Sequence, residues 1–289
     1  MKKTEIPLKV IGPGSQPTDS DGEMTFMTMP AGMTTFAAPI VPEPEETKGM
    51  EQALGMAYEI QQALEKYQID DKAIIFDLNK LDNTNSLFMD QLLGDGEVSI
   101  QFDGDIKAEI QESVLAGLWR VRYLNDNNDI IQDTMEVADI PSIVTDLTFK
   151  HAQSNFDMKK ATIPESIYNA PPLLVEISDK LPEFNKSDDP HIINLSLLPH
   201  TDEDIAFMSE TLKIGPTVML SRGYGNCRIS STGTKNAWWV QFFNSQDTLI
   251  LNTLEIIDIP SVAKASKEDL EDSAERLQEI LSIYQAEIK

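Results

Sequence analysis

The stretch WRVRYLNDNNDIIQDTMEVADIPS (119–142) returns 119 residues later as WWVQFFNSQDTLILNTLEIIDIPS (238–261). In both copies alternating apolar residues flank a polar turn, the pattern of an antiparallel hairpin. Successive strand residues point to opposite faces. Trp119, Val121 and Tyr123 are therefore expected to face a core, and Arg120 and Arg122 water. In the second copy the outward arginines become Trp239 and Gln241, with Phe243 beyond. That face is expected to be covered in the second copy and bare in the first.

Working outward, the offset of 119 carries Phe88–Ser142 onto Phe207–Ser261 without a gap, and 16 of the 55 positions are identical. They include Gly96/Gly215, Gly104/Gly223, Ile110/Ile229, Glu136/Glu255 and the run Asp139-Ile140-Pro141-Ser142 against Asp258-Ile259-Pro260-Ser261. A period this long is not that of a solenoid and reads as a duplicated domain. Upstream, IIFDL (74–78) aligns with IINLS (192–196), and YEIQQALEKY (58–67) aligns with VEISDKLPEF (175–184) after a slip of two residues.

The expected fold class is thus α+β: a tandem duplication of a helix–strand–helix–antiparallel meander module, with an extended N-terminal arm and a C-terminal helix. The boundaries are an arm at 1–46, a first module at 47–150, a linker at 151–169, a second module at 170–265 and the helix at 266–289. In the first module Met50, Leu54, Ala57, Leu64 and Tyr67 fall at helical spacing, and Gly94 ends the next helix. In the second, Thr201 and Asp204 resemble a capping box ahead of the stripe Ile205, Met208, Leu212.

The two ends are less constrained. GPGSQP (12–17) and VPEPEE (41–46) are turn and polyproline signals around the methionine-rich FMTMPAGM. Such an arm straps onto its own core or docks on a partner. At the other end Ser266 and Asp269 form a second capping-box pattern. Leu270, Ala274, Leu277, Leu281, Tyr284 and Ile288 step by three and four. This helix is expected to lie on the Trp239/Phe243 side of the second module, a dimeric coiled coil being the alternative.

Composition narrows the partners. With 48 acidic against 23 basic residues the chain carries −25, which disfavours nucleic acid and anionic bilayers. A single cysteine and three histidines leave no Cys-rich or His-rich metal site and suit a reducing cytoplasm. The longest uncharged run, Thr25 to Pro42, carries Pro30, Pro39, Pro42 and Gly32, unsuited to a spanning helix. No Ser–His–Asp, HExxH, Walker or dinucleotide pattern is present.

Divergence between the modules marks the candidate chemistry. FDGDIKAEI (102–110) is matched by SRGYGNCRI (221–229): an acidic turn has become a cationic, glycine-rich one holding the only cysteine. Gly223 and Gly225 would let backbone N–H groups approach a ligand. Arg222 and Arg228 are expected to lower the pKa of Cys227 towards a thiolate, the form that binds soft metals or attacks electrophiles. The plainer reading is a tight turn with a small buried cysteine.

Taken together, GPGSQP, VPEPE, GEVSI (96–100), IQESVLAGLWRV (110–121), LPHTDEDIAFM (198–208), SRGYGNCRISST (221–232), the 238–260 stretch and EDLEDSAERL (268–277) resemble the HupH/HyaF/HoxV family of accessory proteins for [NiFe] hydrogenase maturation. The resemblance implies a non-catalytic cytoplasmic scaffold or chaperone that binds a hydrogenase subunit precursor, the large subunit favoured, together with other maturation factors. It implies no tightly bound cofactor beyond a transient iron–cyanide–carbonyl group. It leaves open a monomer or a homodimer. The ligand- or partner-binding residues expected are Arg222, Gly223, Tyr224, Gly225, Asn226, Arg228, Trp239 and Asn244, with Cys227 as the metal candidate. A thiol-dependent enzyme or redox protein using Cys227 is the alternative.

Overall fold

The structure, a computed structural model, describes residues 42–44, 47–158, 161–186, 189–223 and 225–284. Of the arm at 1–46 only residues 42–44 are described, and Tyr224 and Ile288 also lie outside the described residues. In chain order the elements are α1 (Glu51–Lys66), β1 (Ile74–Asp77), α2 (Asn83–Leu93), β2 (Val98–Asp103), β3 (Lys107–Glu112), β4 (Leu118–Leu124), β5 (Ile130–Val137) and α3 (Ser142–Leu147). Then follow α4 (Ala170–Lys180), β6 (His191–Asn194), α5 (Asp202–Leu212), β7 (Ile214–Ser221), β8 (Asn226–Thr232), β9 (Ala237–Phe243), β10 (Leu249–Ile256) and α6 (Lys267–Ser282). The class is α+β, as expected.

The ten strands found among the described residues join one antiparallel sheet in the order β1-β5-β4-β3-β2-β7-β8-β9-β10-β6. Pairing recurs at the sequence offset: Trp119 faces Glu136 and Trp238 faces Glu255, while Ile110 faces Val121 and Ile229 faces Val240. At the centre β2 and β7 lie side by side. Val98 pairs with Ser221 and Phe102 with Thr217, around the pair Ile100–Met219. The residue 119 positions after Ile100 is thus its own cross-strand partner. Only the outer strands differ from the expected alignment. Asp77 and Asn194 occupy equivalent places opposite Thr134 and Thr253, an offset of 117, so HIIN rather than IINL corresponds to IIFD.

Strand alternation gives the sheet two faces. One carries Ile100, Ile110, Trp119 and Val121 beside Met219, Ile229, Trp238 and Val240, all buried in one core. Each tryptophan indole donates to a carbonyl just past the next strand, Trp119 to Ala138 at 2.9 Å and Trp238 to Asp258 at 3.0 Å. Phe149, which follows α3, packs edge-on against Trp238 with ring centroids 5.1 Å apart.

On the opposite face Arg122 keeps 38% side-chain exposure, but Arg120 is covered, which corrects the expectation that it faces water. Arg120 keeps only 16% side-chain exposure, because Asp133 beside it (Nη2 to Oδ2, 2.7 Å) and Asp90 of α2 both ion-pair with it. In the second half Trp239 joins Leu174 and Ile177 of α4 and Ile205 and Met208 of α5 in a separate core. Each half therefore roofs this face with its own pair of helices.

The C-terminal helix does not lie where the seam suggested. α6 packs on α1 and α2 of the first half: Tyr58 donates to the Leu281 carbonyl at 2.9 Å, Phe88 meets Tyr284 edge-on at 5.8 Å, and Leu270 closes on Gly117. The physical reason is vacancy. Trp239 is already covered by α4 and α5, whereas α1 is buried on a wide arc (Ala53, Leu54, Ala57, Ile60, Gln61, Ala63, Leu64) that α2 and the sheet fill only in part. Both capping boxes form, Thr201 with Asp204 and Ser266 with Asp269.

The caps also tie helix to helix. Buried Asp204 accepts from the backbone N–H groups of Tyr168, Asn169 and Ala170 at 2.9–3.0 Å, fixing the start of α4. Burial alone would raise its pKa, but these bonds and the one from Thr201 outweigh it and hold the carboxyl below its usual range. The first half makes the same joint with a neutral side chain: Asn85 accepts from Ala53 N at 2.8 Å.

Candidate functional site

The loop that carried the sequence expectation divides between the two faces. Cys227 and Arg228 are neighbours in β8, so their side chains point apart. Cys227 sits beside Ser221 and Phe242 on the Trp238 face, 2% exposed. Burial, reinforced by Glu255, pushes its thiol up to about 12. The expected thiolate is overturned: Arg228 lies on the wrong side of the sheet to stabilise it, and desolvation favours the neutral form. Among the described residues no group of three or more His, Cys, Asp or Glu side chains could hold a metal ion.

The other expected residues serve the turns. Arg222 is exposed and donates its backbone N–H to Glu97 O at 3.1 Å, and Gly223 lets the Glu97 side chain approach. Gly225 needs its φ of +97°. Asn226 reaches Asp247 at 3.4 Å. Asn244 is a turn builder: its side-chain oxygen accepts from Gln246 N and Thr248 N, as Asn125 accepts from Asn127 N and Asp129 N in the first half. Tyr224 lies outside the described residues.

Two of the expected residues do meet, on the face away from Cys227. Arg228 and Trp239 line a cavity of about 700 Å³ over β2, β7, β8 and β9, a size that suits a small ligand or a short peptide. Its floor includes Gln101, Val218, Ser230 and Gln241. One wall is the segment after α3, held by Thr148 to Thr217 (2.7 Å between hydroxyls) and by Lys150 and His151, each 2.8 Å from Asp105. Those two hydrogen bonds, Lys150 first, keep the Asp105 carboxyl near 2. At the rim stands Lys213, in a backbone conformation (φ +63°, ψ 172°) that favours glycine. Its counterpart Gly94 has nearly the same angles, φ +55° and ψ −171°.

Sequence reasoning missed Gln241, Gln101, Ser230 and Lys213. The signal was present in the strand alternation: Arg228, Ser230, Trp239 and Gln241 share one face by period two, while Cys227 does not. What the alternation did not tell is that this floor opens into a cavity bordered by Ser209 of α5 and by the segment after α3.

Similarity to known proteins covers nearly the whole chain. The chain is 42% identical over 271 residues to the hydrogenase expression/formation protein HupQ of Azotobacter chroococcum mcd 1, covering 93% of this chain and 94% of that one. It is 40% identical to HoxQ of Cupriavidus necator (97% and 98% covered) and 30% identical to the hydrogenase-1 operon protein HyaF of Escherichia coli K12 (96% of each). A solved structure, the hydrogenase expression protein HupH of Thiobacillus denitrificans ATCC 25259, is 24% identical, covers 39% of this chain and 94% of that chain, and has a TM-score of 0.37. No helix among the described residues is long and apolar enough to cross a membrane. Residues 50–158 and 167–284 match the conserved C-terminal region of the HupH hydrogenase expression proteins, and the chain belongs to that family.

Proposed function

We propose that this protein is a non-catalytic accessory factor of [NiFe] hydrogenase maturation that holds a hydrogenase subunit precursor in the cytoplasm. The observation that carries the reading is similarity at 30–42% identity over more than nine-tenths of chains named for hydrogenase expression or formation, or for a hydrogenase operon. The continuous ten-stranded sheet of the described residues offers an extended rigid platform. The charge of −25 favours a partner with a basic surface and speeds encounter more than it strengthens the complex.

The iron–cyanide–carbonyl part of the expectation loses its support. A protonated, buried Cys227 is a poor soft-metal ligand, and it is an equally poor nucleophile for the thiol-enzyme alternative. Cys227 acts as a small core residue, so Cys227→Ala should leave maturation intact at a modest stability cost.

The platform itself reads as a tandem copy, its halves within about 47–150 and 170–265 joined by a 151–169 linker. The family match falls in two stretches whose starts differ by 117, the offset at which β1 and β6 correspond.

The test is co-purification of the tagged full chain with each hydrogenase subunit precursor in turn, beside hydrogenase activity in a strain lacking the gene. Co-purification with the large subunit, the small one or both, together with lost activity restored by the gene, is expected. Full hydrogenase activity in the deletion strain would overturn the reading.

A further inference from the structure

A single cross-strand row crosses the middle of the sheet on the face away from Cys227. It runs from Gln111 through Ser99, Leu220 and Arg228 to Gln241, each residue directly opposite the next. At one end it continues to Arg120 under Asp90 of α2, and at the other to Asn252, whose backbone N–H donates to Ser196 Oγ. Between those ends Ser99, Leu220, Arg228 and Gln241 are each 5% exposed or less. The next row along the strands, Gln101–Val218–Ser230–Trp239, floors the open cavity.

Two apolar side chains on this track are buried outside both cores. Leu220 lies in the row, and Phe243 shares the face of Gln241 by alternation. Neither belongs to the core of α1, α2 and α6 or to that of α4 and α5. Both are already buried within a single chain, so their cover belongs to the chain itself. Beside them the Gln241 amide nitrogen, on a side chain 2% exposed, has no hydrogen-bond partner. A buried donor in that state calls for an acceptor on whatever lies over it.

We propose that this track is the docking site of the chain's own N-terminal arm, the stretch 25–41 crossing the sheet in cis over Leu220 and Phe243. The stretch is uncharged in a chain whose residues are 25% charged, so its burial desolvates no ion. Met27, Met29 and Met33 suit an irregular apolar groove. Pro30 and Pro39 disfavour a helix or a further strand and suit a strap that runs across the strands, its backbone carbonyls open to the Gln241 amide. The arm also ends in the right place. Tyr284 Oη donates to the Pro42 carbonyl at 2.7 Å, and Tyr284 packs on Phe88 of α2, the helix that roofs the first-half end of the row. Extended, the stretch reaches about 55 Å, against about 15 Å for the three strand spacings from β2 to β9. This inference goes beyond the maturation reading and stands or falls separately from it, because its test needs no hydrogenase.

Photocrosslinking within the full chain, with benzoylphenylalanine replacing Phe26 or Phe36 in turn, tests it. At least one of the two should attach, within one chain, to the tryptic peptide 214–222, which carries Leu220, or to 236–264, which carries Gln241 and Phe243. Chymotryptic cleavage after Phe36 gives a second readout. Replacing Met27, Met29 and Met33 together by aspartate alters no residue of either core. It should remove the crosslink and speed that cleavage at least tenfold over the parent. Leu220→Asp should release the arm in the same way from the sheet side. Should that variant fail to fold, the arm variant alone decides. Attachment to other peptides only, or equal cleavage rates in the parent and the arm variant, would overturn the proposal. So would attachment between two chains, which would make a second copy the occupant.

Discussion

Two stretches of this protein run through the same order of elements and differ most on one face of the sheet. Residues 51–137 and 170–256 run through the same seven elements, and their meanders pair in the same register. Both bury a tryptophan at the same place on the same side of the sheet. On the other side the first half carries Arg120, Arg122 and Asp133 under Asp90 of α2, a balanced charged set. The second half carries Trp239, Gln241 and Asn252 with Arg228, and an open cavity. The buried tryptophan face sets the architecture, and the face that can vary without disturbing it is where new chemistry appears. That is the general relation of sites to folds.

The largest expected effect breaks the symmetry. Truncation before Ser266 removes Leu270, Ala274, Leu277, Leu281 and Tyr284 from the core of the first half. At about 1.5–3 kcal/mol for each large side chain, the loss is on the order of 5–10 kcal/mol. Hydrogen exchange should then show α1 and α2 losing protection while α4 and α5 keep theirs. Equal loss over both helix pairs would contradict the placement of α6.

A somewhat smaller effect tests the symmetry itself. Trp119→Ala and Trp238→Ala each empty a fully buried site and should each cost about 3–5 kcal/mol in urea unfolding. If one cost is severalfold the other, the two tryptophans do not play equivalent roles.

The halves also part at Glu112, whose counterpart is Ser231. Burial, opposed by a 3.3 Å bond from Gly117 N and reinforced by Asp269 and Glu97, pushes the Glu112 carboxyl up to about 8. A raised acid pKa means the folded state prefers the proton. Its stabilising contribution is complete below the unfolded pKa of roughly 4.3 and is lost as pH rises towards 8. Glu112→Gln, which stays neutral, should therefore gain about 1–3 kcal/mol over the parent at pH 8 and close to nothing at pH 4. A pH-independent difference between the two would show that Glu112 titrates normally.

The smallest effect concerns a loop. Lys213→Gly gives the second half the residue that the first half already has at Gly94, and relief of the glycine-like conformation should add about 0.5–1 kcal/mol. A loss on this substitution would mean that Lys213 makes a compensating contact at the cavity rim.

Much of this was legible in the residues. The repeated Trp-x-Val strands at constant offset required equivalent hairpins, and Thr201–Asp204 and Ser266–Asp269 marked two helix starts that the structure has. What escaped was of another kind. IIFDL and IINLS are short apolar runs that match in either of two registers one residue apart, and only pairing to Thr134 and Thr253 selects one. Cys227 is the chain's single cysteine and stands between two arginines in sequence. Alternation in β8 already separated it from Arg228, though the burial that neutralises its thiol belongs to the assembled sheet.

The sequence by itself determined the α+β class, the repeat, the hairpin turns and the capped helix starts. Each of these depends on contacts within a few residues or on a pattern repeated along the chain. Only the tertiary structure decided where α6 docks, that Arg120 is neutralised by Asp90, and that a cavity opens above Arg228 and Gln241. An amphipathic stripe records that a helix must bury a face. It does not record which of two similar surfaces remains free, and that depends on how the other helices have filled the space.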